Sequence, residues 1–178
     1  DGVAVDKIIT PDYIGSNDEY RDFISAAKER GITPYAVTEN ESFVFDDVLF
    51  NIYPPQKTAY KTGDNDFSLV TDITHGKNRF LFAGDAEDER TAEILDTIKG
   101  KYDFLKVPHH GRYNSSTEGL IKAVSPEYSV ITDSGKNPAD AETLNVLNKY
   151  KSKVYSVKDG TVSVSSDGTT INITQDEN

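Results

Sequence analysis

Two of the chain's three histidines stand side by side in the run Phe104-Leu105-Lys106-Val107-Pro108-His109-His110-Gly111. A second run of the same kind, Phe82-Ala83-Gly84-Asp85, ends 24 residues before His109. A hydrophobic strand that runs into two histidines and a glycine delivers imidazole nitrogens to the edge of a sheet. An aspartate at the end of the preceding strand can meet them there. Carboxylate oxygen and imidazole nitrogen from neighbouring strand ends are donors that zinc or manganese accepts. The chemistry this implies is metal-dependent hydrolysis, with Asp85, His109 and His110 as candidate metal ligands and catalytic groups.

Hydrophobic period and turn signals name the elements that must position these residues. A short strand is expected over residues 3–9 and a loop over 11–17. Residues 18–30 place Tyr20, Phe23, Ile24 and Ala27 on one helical face, and Gly31 supplies the stop. Strands follow at 32–37, 43–45 and 48–53, the last two forming a hairpin through Asp46-Asp47. Residues 54–64 are polar and irregular. A strand over 67–74 turns at Gly76-Lys77-Asn78, which leaves His75 in a solvent-facing turn, and the chain returns over 79–83.

The helix expected over 88–98 turns Ala92, Leu95 and Ile98 inward. Its start, Glu87-Asp88-Glu89, is a charge run that the helix dipole favours. Residues 102–107 form the strand that carries the histidines. Ser115 or Ser116 caps a helix with Leu120, Ile121 and Val124. A buried strand over 128–132 and an amphipathic helix over 139–150, through Leu144, Val146 and Leu147, come next. Two hairpins, turning at Asp159-Gly160 and Asp167-Gly168, close the chain. The order predicts a mixed α/β (α+β) fold with the metal candidates at strand ends.

The 178 residues predict one domain with room for a sizeable core. No stretch approaches the roughly 20 apolar residues that span a bilayer, so no membrane segment is expected in this chain. The net charge of -11 disfavours sequence-independent binding to nucleic acid. The absence of cysteine removes disulfides, zinc-thiolate sites and cysteine nucleophiles. It leaves the compartment open, with a secreted or cell-envelope setting expected slightly ahead of the cytoplasm. With no methionine, Asp1 is expected to begin a processed product or a fragment, and any leader would lie outside it.

Three stretches together resemble the metallo-β-lactamase superfamily, in its ComEC-like branch. They are Asn65-Asp66-Phe67-Ser68-Leu69-Val70, Phe80-Leu81-Phe82-Ala83-Gly84-Asp85-Ala86-Glu87 and the histidine run. The resemblance continues through Ser125-Pro126 and Val130-Ile131-Thr132 to Lys158-Asp159-Gly160-Thr161-Val162, covering residues 65–174 best. That branch is named for the soluble domain of the bacterial DNA-uptake channel and also contains free-standing hydrolases and phosphodiesterases.

The resemblance implies a four-layer αββα sandwich, with residues 1–178 forming one domain truncated at its N-terminus. Two divalent metals, zinc or manganese, would sit in a groove at one edge of the sheets. They would activate water to attack an ester or phosphodiester. Asp85 would bridge both metals. Of His109 and His110, one would be a metal ligand and the other a phosphate contact or proton donor, with His110 the preferred ligand. Gly111 would let the backbone approach the site, and Arg112 could meet a substrate anion.

Two departures from the pattern shape the expectation. The superfamily's main ligand motif, His-x-His-x-Asp-His, would lie just before residues 3–10 and is not in this chain. The branch also carries a late histidine in an Asn-x-x-Gly-His-Pro run, where this chain has Asn137-Pro138-Ala139-Asp140-Ala141-Glu142. Helix capping is the expected job of Asp140. Three donors at most are in view, against about four for a zinc site, so the fragment is expected to fold with little or no activity. The alternatives are a degenerate, non-catalytic binding or structural module, or a DNA-degrading domain linked to competence. Apolar sheet left bare would be covered by a second copy or by the missing N-terminal segment. Residues 113–116 could line the groove or serve only as a polar loop and cap.

Overall fold

A computed structural model describes residues 3–177. Near its start, β1 (Ile9–Pro11) and β2 (Tyr35–Val37) pair in parallel as a small sheet of their own, joined through α1 (Asp18–Glu29). Asn17 caps α1 by accepting the Tyr20 N–H at 2.9 Å. The expected strand over 3–9 is thus shorter and later. Residues 3–7 run without a partner strand, and a strand holds only where a second backbone satisfies its hydrogen bonds, as the Tyr35 N–H first does at the Ile8 carbonyl.

The central sheet has seven strands in chain order: β3 (Glu41–Phe45), β4 (Val48–Tyr53), β5 (Val70–His75), β6 (Asn78–Phe82), β7 (Phe104–Lys106), β8 (Tyr128–Ile131) and β9 (Lys153–Ser156). β3 to β6 are antiparallel, whereas β6 to β9 are parallel. The parallel strands are joined by α2 (Asp88–Thr97), α3 (Thr117–Val124) and α4 (Ala141–Lys149). Crossovers of one hand place all three helices on the same side. Ile94, Leu120, Ile121, Val124, Val146 and Leu147 pack there against Leu81, Leu105 and Ile131 of the sheet. Burying such a side chain contributes about 1.5–3 kcal/mol, so this layer supplies most of the core.

Side chains alternate along a strand, so Phe80, Phe104 and Val130 point to the opposite face. The closing hairpin, β10 (Gly160–Ser166) and β11 (Ile171–Glu177), covers part of that face with Val162, Ile171 and Ile173. The molecule is therefore a mixed α/β sandwich of helices, large sheet and hairpin, with four α-helices among the described residues. No described helix is long and apolar enough to cross a membrane.

Three local expectations need correction. Only the second closing hairpin forms. β9 stays in the large sheet beside β8, and a 3-10 turn at Val157–Asp159 carries the chain across to the other face. His75 ends β5 rather than facing solvent: its side chain is mostly covered, with Nδ1 3.0 Å from Ser166 Oγ and Nε2 3.3 Å from Asp47 Oδ2. On α2, Ala92 faces outward, while Arg90, Thr91, Glu93 and Ile94 are buried. The buried charges satisfy each other, with Arg90 Nη1 donating to Glu93 Oε2 at 2.7 Å and Nη2 to the Tyr53 carbonyl at 2.6 Å. Tyr60 donates to the same glutamate at 2.9 Å, and burial with this bond pushes its phenol up to about 12.

The parallel arrangement decides where chemistry can happen. β6, β7 and β8 run the same way, so all three deliver their C-terminal ends to one edge of the sheet. Residues 83–85, 107–112 and 132–133 leave from that edge.

Candidate functional site

Asp85 sits in a tight turn braced from the stretch 65–68. Gly84 has φ +57, and a Cβ there would lie 2.6 Å from Ser68 Oγ, so only glycine allows the approach. Ser68 Oγ accepts the Asp85 N–H at 3.0 Å. Asp66, fully buried, accepts the Glu87 N–H at 2.6 Å through Oδ1 and the Thr62 hydroxyl through Oδ2. Asp66 thereby caps α2 from a distance, since Glu87, at the N-cap position, makes no side-chain cap bond. The turn is rigid because every brace is satisfied.

The histidine turn is held by strain and by a close contact. His109 and His110 both have left-handed backbones, with φ 45 and 53. That conformation costs a non-glycine residue about 1–2 kcal/mol. Gly111 continues it at φ +79, and a Cβ there would meet Ala139 Cβ at 2.7 Å. The result is a sharp reversal just past β7. It brings His110 Nδ1 to 2.8 Å from the carbonyl oxygen of Thr132, at the end of β8.

This last bond decides the state of the ring. A carbonyl only accepts, so His110 Nδ1 carries a proton and donates it. In the neutral ring the other nitrogen, Nε2, then presents its lone pair, an arrangement that orients metal-binding histidines. Nε2 faces Asp85 Oδ2 at 3.3 Å. Two lone-pair donors turned toward each other need positive charge between them, a proton or a metal ion. Zinc bonds of about 2.0–2.1 Å place two tetrahedral donors about 3.3–3.4 Å apart. Asp85 and His110 thus fit two corners of a zinc tetrahedron. Among the described residues no group of three or more His, Cys, Asp or Glu side chains could hold a metal ion. The pair supplies two donors, against about four for a zinc site.

His109 points elsewhere. Its ring centre lies 6.4 Å from that of His110. Its Nε2 is 3.4 Å from Asn65 Nδ2 and its Nδ1 3.8 Å from Glu87 Oε1. Asn65 also donates to Glu87 at 2.8 Å, which fixes the group. Both histidines border an open cleft of about 440 Å³, together with Arg112, Thr132, Asp133 and Asn137.

Arg112 lies on this cleft and donates from Nη1 to Asp140 Oδ1 at 2.8 Å. Asp140 occupies the N-cap position of α4, yet its side chain makes no cap bond, which corrects the capping expectation. Instead it accepts the Tyr113 N–H at 2.8 Å as well as Arg112. That backbone bond first, and then the guanidinium, hold its carboxyl below the usual range. Ser116, the N-cap residue of α3, likewise makes no cap bond; its N–H reaches Asp88 Oδ1 at 3.0 Å. Asp133 is buried beneath the cleft. Burial alone would raise its carboxyl, but bonds from the Ser156 hydroxyl, the Ala139 and Lys158 N–H groups and the Lys158 charge outweigh it and lower it.

Asp66, Ser68, Lys106 and Thr132 also build the site, though motif spacing assigned them no role. The signal for the first two was their place in the run Asn65-Asp66-Phe67-Ser68, small polar residues leading into a buried strand. Thr132 acts through its backbone and carries no side-chain signal.

No protein-family model matches the chain. It has homologues among much longer proteins. Recombination protein 2 of Haemophilus influenzae is 30% identical over 151 residues, covering 83% of this chain and 17% of that protein. ComE operon protein 3 of Bacillus subtilis is 28% identical over 134 residues, covering 75% and 17%. An uncharacterized protein of Escherichia coli, YcaI, is 26% identical over 117 residues, covering 65% and 15%. The chain thus spans about a sixth of the length of these relatives.

Proposed function

We propose that this chain supplies the carboxylate–imidazole edge of a metal-dependent hydrolase of the metallo-β-lactamase type, acting on a phosphodiester or related ester. The observation that carries this reading is the convergence of Asp85 Oδ2 and His110 Nε2 at 3.3 Å, with His110 locked by the Thr132 carbonyl at 2.8 Å. Asp85 and His110 would hold the metal, zinc first and manganese second. Bound metal would supply a water of lowered pKa and a Lewis acid for the ester oxygen. The chain's own residues supply position: Ser68 and Asp66 fix the Asp85 turn, and Arg112 and His109 border the cleft where an anionic substrate would lie.

With two donors in place, the 178 residues alone would bind metal weakly and turn over little or no substrate. The test is hydrolysis of bis(p-nitrophenyl) phosphate with zinc or manganese. Activity in the intact gene product, lost on Asp85→Ala and weak in these 178 residues, is the expected result. No metal-dependent hydrolysis by the intact product would refute the proposal and favour a non-catalytic module.

The similarity to Recombination protein 2 and ComE operon protein 3, with the ComEC-like resemblance of the motifs, supports a second, compatible reading, a role in DNA handling or uptake. The net charge of -11 argues against strong sequence-independent DNA binding. Salt-titrated binding of single-stranded DNA tests this, and no binding at low salt would end it.

A further inference from the structure

We infer that the cavity beside Tyr13 is a stacking subsite for a nucleobase carried by the phosphodiester substrate. The inference rests on the phosphodiester reading for the class of substrate and uses no metal.

β1, α1 and β2 form a parallel βαβ unit, and ligands of parallel sheets collect outside the C-terminal strand ends. Residues 12–14 and Thr38 leave from those ends. They border an open cavity of about 500 Å³, separate from the histidine cleft and within the range of small-molecule sites. Its floor is apolar. Val37 and Phe67 are buried, and Tyr13 lies flat on Phe67 with ring centres 4.1 Å apart.

The stack is fixed from two sides. Tyr60 meets Phe67 edge-on at 5.0 Å, and Glu93 accepts the Tyr60 hydroxyl at 2.9 Å. Asp64 accepts the Tyr13 hydroxyl, so the half-buried ring keeps its plane without being covered. A pre-oriented aromatic face beside an apolar floor suits a flat ring. Thr38, Gln56 and Thr58 stand exposed at the rim, offering an amide and two hydroxyls. A base brings donors and acceptors to such a rim, whereas a plain aryl ring leaves them unused.

The 3-10 turn Asp64–Phe67 is a wall shared with the histidine cleft. Phe67 lines the cavity beside Tyr13, while Asn65 Nδ2 lies 3.4 Å from His109 Nε2. Two residues of such a turn rise about 4 Å, so a phosphodiester beside His109 can lay its neighbouring base on Tyr13. Stacking engages the π-face of the base and needs no surplus of lysine or arginine. The net charge of -11 therefore does not oppose it.

The experiment titrates the folded 178-residue chain with thymidylyl-thymidine, a phosphodiester with two bases, and with its counterpart lacking both bases. A chelator removes metal, and salt of about 0.15 M screens the distant acidic surface. Binding is read from the NMR ring signals of Tyr13 and Phe67. Both should move with the first compound and stay with the second. Tyr13→Phe should bind like the wild type, since the ring remains. Tyr13→Leu, which keeps apolar bulk on Phe67, should bind about tenfold more weakly while staying folded. Undiminished binding by Tyr13→Leu, equal binding of the base-free compound, or no binding at all overturns the subsite. Absence of metal-dependent hydrolysis in the intact product refutes the hydrolase instead and leaves this binding result standing.

Discussion

The parallel half of the central sheet, β6 to β9, is covered by helices on one face and by the hairpin on part of the other. The antiparallel half, β3 to β5, leaves Phe43, Val44, Phe45 and Leu49 exposed. Asp85, His109, His110 and Arg112 follow β6 and β7 and Thr132 follows β8, while Asp66 and Ser68 brace them from the segment before β5. Strands that run together bring their ends to one edge, and the cover around them packs their side chains in place. An antiparallel meander sends successive ends to opposite edges and converges nothing. The candidate site therefore sits where parallel pairing and burial coincide, while the antiparallel half leaves apolar side chains exposed.

Substitutions sharpen this contrast. Leu105→Ala, in the fully buried centre of the parallel half, should cost about 3–4 kcal/mol in urea unfolding. Gly111→Ala should cost about 2–3 kcal/mol, since its φ of +79 and the 2.7 Å approach to Ala139 Cβ leave no room. The same variant should loosen His110, visible as loss of its protected ring proton in NMR spectra.

Asp133→Asn should cost about 1–3 kcal/mol at neutral pH, because buried donors lose a charged acceptor. Its pH dependence has a fixed sign. The folded carboxyl lies below the ordinary value of 3.8, so its contribution is present above that value and fades as pH falls through the lowered one. Wild-type and Asp133→Asn melting temperatures should therefore converge in acid below about pH 4. Phe45→Ser, 68% exposed on edge strand β3, should change stability by no more than about 0.5 kcal/mol and improve solubility. A cost like that of Leu105→Ala would mean the antiparallel half is covered in solution, and the contrast would fail.

The strand–helix alternation from β6 to β9 was legible because each apolar run has one period and a clear stop. The pairing of Asp85 with the histidine turn was legible because the two motifs end consecutive strands. What escaped is what acts across the chain. Asp66 caps α2 from 21 positions away, and Ser68 holds the Asp85 N–H from 17. Small polar residues in a loop look alike until the fold sets their partners. Asp159-Gly160 looks like a hairpin turn, yet Asp133 captures Ser156 and Lys158 and sends the strand to the other sheet. Ala92 joins Leu95 and Ile98 in the apolar pattern of α2, yet Arg90 and Glu93 are buried instead, because each makes the other buriable.

The most direct test of the central claim is nitrogen-15 NMR of the histidine rings during zinc titration of the chain. His110 should start as the Nδ1–H form, its Nε2 signal should move on adding zinc, and Asp85→Ala should abolish that movement. If the His109 nitrogens respond instead, or if His110 responds equally without Asp85, then the carboxylate–imidazole pair is not the metal-binding element.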